Sequence, residues 1–215
     1  MRKIDDLHAI LEESSLVKLL ATSVGEGKAR ECTERLLARY GSLATVFSEH
    51  VDDIASVGGI NKNAALLIKL VAYVNSRRVT DGFRFGVAHS EEELCEYLSA
   101  LFLGASFETV YAILLDDKNR VISTEFIGEG TVNASDVVPR KILECAKRRG
   151  SKRIILAHNH PKGSATPSRD DIMTTGRLFE LFATVGVRLV AHYIVADGEV
   201  GRVEADMLYD PDYRG

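Results

Sequence analysis

The sequence predicts a small all-α domain over residues 1–80 followed by a mixed α/β domain over residues 81–215. Two observations carry that expectation. Apolar residues recur at spacings of three and four in LVKLLATSV, ECTERLLARYG and NAALLIKLVAYVN, which is the period of a helix with one buried face. Beyond residue 80, short β-branched runs alternate with helical ones, the pattern of a sheet covered by helices. Between the two parts, SRRVTDGFRFGVAHS loses the helical period and holds charges and glycines without a core face, so it reads as a linker.

In the first domain Gly41, Gly58 and Gly59 punctuate consecutive short helices. The second opens with SEEELCEYLSALFLG, a helix with Ser90 as N-cap, Glu93 in the capping-box relation and a stop at Gly104. TVYAILLD and RVISTEFIG are two β-rich runs joined by the polar DKN turn, hence a hairpin. VPRKILECAKRRG is a helix with Pro139 in its first turn and Gly150 after its last. RIILAHNH is a buried strand, TPSRDDIMTTGRLFELFATVG a helix opening on Thr166 and Pro167, and VRLVAHYIV another strand. Asp197 and Gly198 turn the chain into a last short strand, EVGRVE.

Composition bounds the function. With 215 residues, 46% hydrophobic and 27% charged, the chain has the make-up of a folded globular protein rather than a disordered one. It contains no apolar run of about twenty residues, and acids sit where a secretory leader would be apolar, so a cytoplasmic protein with no membrane partner is expected. Cys32, Cys95 and Cys145 are odd in number and far apart, which suggests reduced thiols and no thiolate metal site. Cut near residue 80, the chain carries 11 basic against 10 acidic residues before the cut and 16 against 21 after it. Neither part has the basic footprint of a dedicated nucleic-acid binder.

The chemistry concentrates in AHNHPKGSATPSRDD. His158 and His160 stand two apart at the end of a strand, so both imidazoles point to one face and can meet one metal ion. Pro161 and Gly163 break the strand, and Ser168 and Asp171, three apart, share a face at the start of the next helix. Two neutral nitrogens and one carboxylate leave a fourth zinc position open to water, the catalytic pattern. Such a site needs a base, and Glu108 is the candidate, placed before the apolar run TVYAILL at a strand edge where low-dielectric surroundings are expected. Ser168 is the expected donor to an oxyanion. A purely structural reading, in which Thr166, Ser168, Asp170 and Asp171 only cap a helix, explains the acids but not the paired histidines.

The spacing of His158, His160, Pro161, Ser168 and Asp171 resembles the JAMM metalloprotease signature H-x-H-P, a short spacer, then S-x-x-D, with Glu108 at the position of its upstream glutamate. More narrowly, LLDDKNRVI, EGTVNASDVVPRKILECA, LAHNHPKGSATPSRDDI and RYGSLATVF look like successive blocks of the bacterial RadC family. The resemblance covers nearly the whole chain. It implies a mixed-sheet JAMM/MPN fold, a cytidine-deaminase-like sandwich, with one Zn2+ and peptidase or isopeptidase chemistry on a peptide or protein substrate. Glu125 and Glu129 are rival glutamates that do not head the strand the family's glutamate heads. Lys162 departs from the serine many relatives carry.

SVGGINKNAALLIKL resembles a helix-hairpin-helix turn, which offers backbone N–H groups to a DNA phosphate, but Asn61 stands where the second glycine belongs. Asn tolerates positive φ, so the turn is expected to survive, with only weak, salt-sensitive DNA contact through Lys62 and Lys69. His192, in RLVAHYIV, reads as a satisfied core or edge histidine, and His8, His50 and His89 lack metal-binding spacing. A zinc deaminase would need a glutamate just after its first histidine and a P-C-x-x-C pair, and HExxH is also missing. Two readings follow: a zinc-dependent metallopeptidase or isopeptidase with the peptide laid along a sheet edge beside the site, or a DNA-associated binding protein whose zinc domain is non-catalytic.

Overall fold

A computed structural model describes residues 2–83, 90–130 and 137–209, and the chain divides into two compact units, Met1–Asn75 and Ser76–Gly215. The first unit is built from α1 (Arg2–Val24), α2 (Glu26–Tyr40), α3 (Leu43–Ser48), α4 (Val51–Ala55) and the start of α5 (Lys62–Phe83). The helical spacing of its apolar residues brings Leu16, Leu20, Leu36, Val46, Ile54 and Ile68 into one buried cluster. The expected linker starts instead as helix: α5 continues to Phe83, and the rest of that segment, 84–89, lies outside the described residues. Arg77 and Arg78 suit a helix as well as a linker, so the loss of apolar period there does not mark the end of the helix.

The turn between α4 and α5 differs from the expected helix-hairpin-helix. Gly59 has a φ of 91°, whereas Asn61 is not among the residues with positive φ. Its side-chain Oδ1 instead accepts from the N–H of Ala64 at 2.8 Å, capping α5. One of the N–H groups in the first turn of α5 is thereby occupied. Lys69 donates to the carbonyls of Phe47 and Glu49 at 2.6 and 2.9 Å, and burial pushes its amine down to about 8. Lys62 pairs with Asp52 at 3.0 Å.

The second unit holds one five-stranded sheet in the order β2-β1-β3-β4-β5, from β1 (Thr109–Leu115), β2 (Val121–Glu129), β3 (Arg153–Asn159), β4 (Arg188–Ala196) and β5 (Glu199–Arg202). Its helices are α6 (Glu91–Phe102), α7 (Val137–Arg149) and α8 (Arg169–Thr184). β1 and β2 form the expected hairpin, with Asn119 at a φ of 61° in the turn. Asp197 and Gly198, both at positive φ, turn β4 into β5. Among the described residues only β3 and β4 pair in parallel, which requires the crossover that α8 supplies.

Alternation along the strands sends Ala112, Leu114, Ile154 and Leu156 to Ile142, Leu178 and Phe182 of α7 and α8. Ile113, Ile155, Ala157 and Tyr193 go to Leu94, Leu98 and Phe102 of α6 on the other face. Ser90 caps α6 as expected, its hydroxyl accepting from the N–H of Glu93 at 3.1 Å. The cap of α8 is Ser168, not Thr166 or Pro167, because Ser168 and Asp171 close a reciprocal capping box. Among the described residues no helix is long and apolar enough to cross a membrane.

A Cβ on Gly59 would lie 2.8 Å from the Cys32 sulfur and would hold a side chain at a φ that L residues rarely adopt. Gly59→Ala is therefore expected to destabilise the first unit by about 1–3 kcal/mol, read from the urea midpoint. An unchanged midpoint would contradict this account of the turn.

Candidate metal centre

β3 ends in the run His158-Asn159-His160, and its parity divides the three side chains between the two faces of the sheet. His158, in register with Val110 of β1 and Ile194 of β4, is buried on the face covered by α8. The backbone N–H of His160 donates to the carbonyl of Val195 at 2.8 Å, so the chain stays tied to β4 one residue beyond the strand. The loop then runs through Pro161 and Gly163 to α8, lying against β5. A methyl group on Gly201 would run into the carbonyl oxygen of Ala165, so glycine is what lets the loop pack there.

The structure brings His158, His160 and Asp171 together, with one ligand atom from each lying within 4.8 Å of the others. His158 Nε2 is 2.9 Å from His160 Nε2 and 3.0 Å from Asp171 Oδ1, and His160 Nε2 is 3.4 Å from Asp171 Oδ2. Nδ1 of His160 lies 2.9 Å from the Ser164 carbonyl oxygen, which can only accept, so Nδ1 donates and Nε2 is the nitrogen turned inward. Two imidazole nitrogens and a carboxylate this close repel one another unless a positive charge, a proton or a metal ion, stands among them. The donor set fits a divalent cation of the kind that accepts nitrogen and oxygen ligands, with three ligands supplied and a further position open.

Ser168 works on Asp171. Its N–H and its hydroxyl donate to Oδ2 at 2.8 and 2.5 Å, and its oxygen accepts from the Asp171 N–H at 3.2 Å. The hydroxyl expected to face an oxyanion is thus engaged in aiming the carboxylate. Burial by itself would raise the Asp171 carboxyl, but the neighbouring His158 imidazole and the hydrogen bonds from Ser168 outweigh it and hold the group well below the usual carboxylate range.

Glu108 precedes β1 by one residue. It comes two residues before Val110, and His160 two after His158, so the antiparallel register brings Glu108 to the histidine end of the sheet. Its surroundings differ from the expected apolar ones: Glu108 is exposed, since the strand has not yet begun. The site also lies at the end of β3, the middle strand, so no sheet edge runs beside it; the edges β2 and β5 are each two strands away. Of the rival glutamates, Glu125 is spent on structure. It accepts from Ser123 and from Arg149 and Arg148 at 2.5, 2.9 and 3.1 Å, and the Ser123 hydrogen bond and the two guanidinium groups hold its pKa low against burial. Glu129 pairs across the hairpin with Thr109.

Two contributors were not legible in the motif. The buried side chain of Asn159 accepts from the N–H of Thr109 at 2.8 Å and donates to the carbonyl of Phe107 at 3.3 Å, gripping the backbone on both sides of Glu108. His192 is buried and satisfied, as a core histidine should be, but its partner is a candidate ligand: His192 Nε2 lies 2.8 Å from His158 Nδ1. Burial pushes the His192 imidazole down to about 3, in the same sense as the neighbouring His158. Strand parity puts His192 on the α8 face, but only the parallel pairing of β3 with β4 puts it next to His158.

Residues 88–204 match the family model described as RadC-like JAB domain. The chain is 31% identical over 192 residues to a UPF0758 protein of Vibrio parahaemolyticus, covering 89% of this chain and 86% of that protein. It is also 31% identical over 202 residues to a UPF0758 protein of Caldanaerobacter subterraneus subsp. tengcongensis, covering 91% and 86%. A UPF0758 protein of Vibrio vulnificus shares 33% identity over 171 residues, 79% of this chain and 76% of its own length.

Protein purified without added metal and then given zinc is expected to retain about one equivalent per chain by mass spectrometry of the native protein, and none in the His158→Ala, His160→Ala double variant. Equal retention by the variant would place the metal elsewhere.

Proposed function

The chain belongs to the family of RadC-like JAB domains, and we propose that it is a zinc-dependent metallopeptidase or isopeptidase acting on a peptide or protein substrate. The observation that carries this reading is the convergence of His158 Nε2, His160 Nε2 and Asp171 on one point at the end of β3, with Glu108 held at the same end of the sheet. Zinc bound by these three side chains would supply the positive charge that acidifies water and polarises a peptide carbonyl.

The protein's own groups do the rest. Glu108, exposed and anchored through its flanking peptides, takes the proton of the attacking water and passes it to the leaving amine. Exposure suits this task, because the carboxylate must meet both a water and a substrate nitrogen. Ser168, whose hydroxyl rests on Asp171, turns to the oxyanion as charge develops there. The substrate approaches the end of the sheet, where His160 and Asp171 are partly exposed and Glu108 is exposed, instead of adding to the remote edges β2 or β5. The DNA-associated alternative gains no observation: Asn61 occupies the N-terminus of α5, and Lys62 and Lys69 are engaged by Asp52 and by backbone carbonyls.

The test is a zinc-loaded full chain incubated with a defined library of peptides and lysine-linked isopeptides, with products read by mass spectrometry. Cleavage by the wild type is expected to fall at least about a hundredfold in Glu108→Gln, which keeps its zinc. Undiminished cleavage by that variant would remove Glu108 as base, and no cleavage of any library member by the loaded wild type would overturn the proposed function.

A further inference from the structure

The metal-facing nitrogen of His158 is selected by a chain of hydrogen bonds that begins at the backbone carbonyl of Asp171. Four residues after Asp171 on α8, the Thr175 hydroxyl lies 2.5 Å from the Asp171 carbonyl oxygen and 2.6 Å from His192 Nδ1. A hydroxyl has one proton, and a carbonyl oxygen can only accept, so the Thr175 proton goes to Asp171. His192 Nδ1 must then be the donor to the Thr175 oxygen. The two ring nitrogens of His192 meet a hydroxyl and an imidazole, neither of them a carboxylate, and 3% exposure leaves the ring no water to support a charge. The ring is neutral, its one proton is on Nδ1, and its Nε2 carries a lone pair.

That lone pair points at His158 Nδ1, 2.8 Å away, so His158 donates from Nδ1 and leaves Nε2 to face His160 and Asp171 Oδ1. We propose that His192 and Thr175 are positioning residues that fix the tautomer and ring plane of His158, so that it presents Nε2 to the metal. The inference rests on reading the site as a metal centre, and it adds to that reading the means by which a buried ligand is kept in its binding form. His160 obtains the same result locally, from the Ser164 carbonyl in its own loop. His158 lies on the strand, where neighbouring backbone carbonyls are taken by the β-ladder, and so it draws its acceptor from β4.

Asp171 closes the circuit. Its carboxylate faces the ligands while its own backbone carbonyl orients Thr175, so one turn of α8 fixes two of the three candidate ligands, one directly and one through two intermediaries. A packing role alone would be indifferent to replacing Thr175 with valine, which has the same shape, or His192 with phenylalanine, which fills a similar volume. The relay is not indifferent to either.

The experiment uses the full chain with 15N-labelled histidine, first without metal and then with zinc in competition with a chelator. In the metal-free wild type, long-range 1H–15N correlations are expected to show His192 protonated at Nδ1 and bare at Nε2, and His158 protonated at Nδ1. Zinc affinity is expected to fall about 10–100-fold in Thr175→Val and His192→Phe. Thr175→Ser, which keeps the hydroxyl, should retain wild-type affinity, and His192→Gln, whose amide can accept from His158 and donate to Thr175, should lie nearer to wild type than His192→Phe. A His192 ring protonated at Nε2, or wild-type affinity in both Thr175→Val and His192→Phe, would overturn the relay. If the wild type binds no zinc, the metal reading falls, while the metal-free spectrum still decides the tautomers.

Discussion

Like-natured electron pairs do not stay together without compensation. Two imidazole nitrogens 2.9 Å apart, with a carboxylate oxygen 3.0 Å from one of them, form an arrangement that an unconstrained chain would relax. Everything around it resists that relaxation. The backbone of His160 is tied to β4, the carboxylate of Asp171 is held by both the N–H and the hydroxyl of Ser168, and His158 is fixed by packing on the α8 face of the sheet. Such preorganisation is stored in the fold, and it holds the three candidate ligands on one point.

The sheet order explains why this is possible. A single parallel pair, β3 with β4, obliges the chain to cross over through α8, and the crossover starts where β3 ends. The strand's last residues and the helix's first turn therefore share one place, and the capping box that starts α8 also orients Asp171. Helix initiation and ligand placement are one set of hydrogen bonds, so the acids that suit a helix N-terminus and the acid that suits a metal are not competing explanations. Gly201 completes the arrangement by letting the intervening loop lie flat on β5.

Much of this was legible in the residues. Periodicity located the strands and helices of the second unit, and the hairpin turn at Asn119 and the cap at Ser90 were readable from local chemistry. The spacing of His158, His160 and Asp171 sufficed to bring them together, because strand parity and helical spacing fix side-chain direction. What escaped was whatever depended on partners distant in sequence. The exposure of Glu108 has no local code, because exposure at a strand's start depends on where the neighbouring loops go. The role of His192 depends on which strand lies beside β3, and strand order has no local code. In the first unit the residue type shows the φ that Asn61 tolerates, whereas its side chain acts as a cap, a choice settled by where α5 begins. The helical content of the first residues after Asn75 has no sequence signal, because Ser76, Arg77, Arg78 and Thr80 supply no apolar period.

Asn159 separates the two histidines in sequence and faces the other side of the sheet, where its amide holds the peptides flanking Glu108. A systematic substitution scan would therefore score this position as severely as the three candidate ligands, although its side chain lies on the opposite surface of the β-sheet. The middle letter of the tripeptide acts as a rivet through the sheet, joining the strand that bears the histidines to the strand that bears the acid.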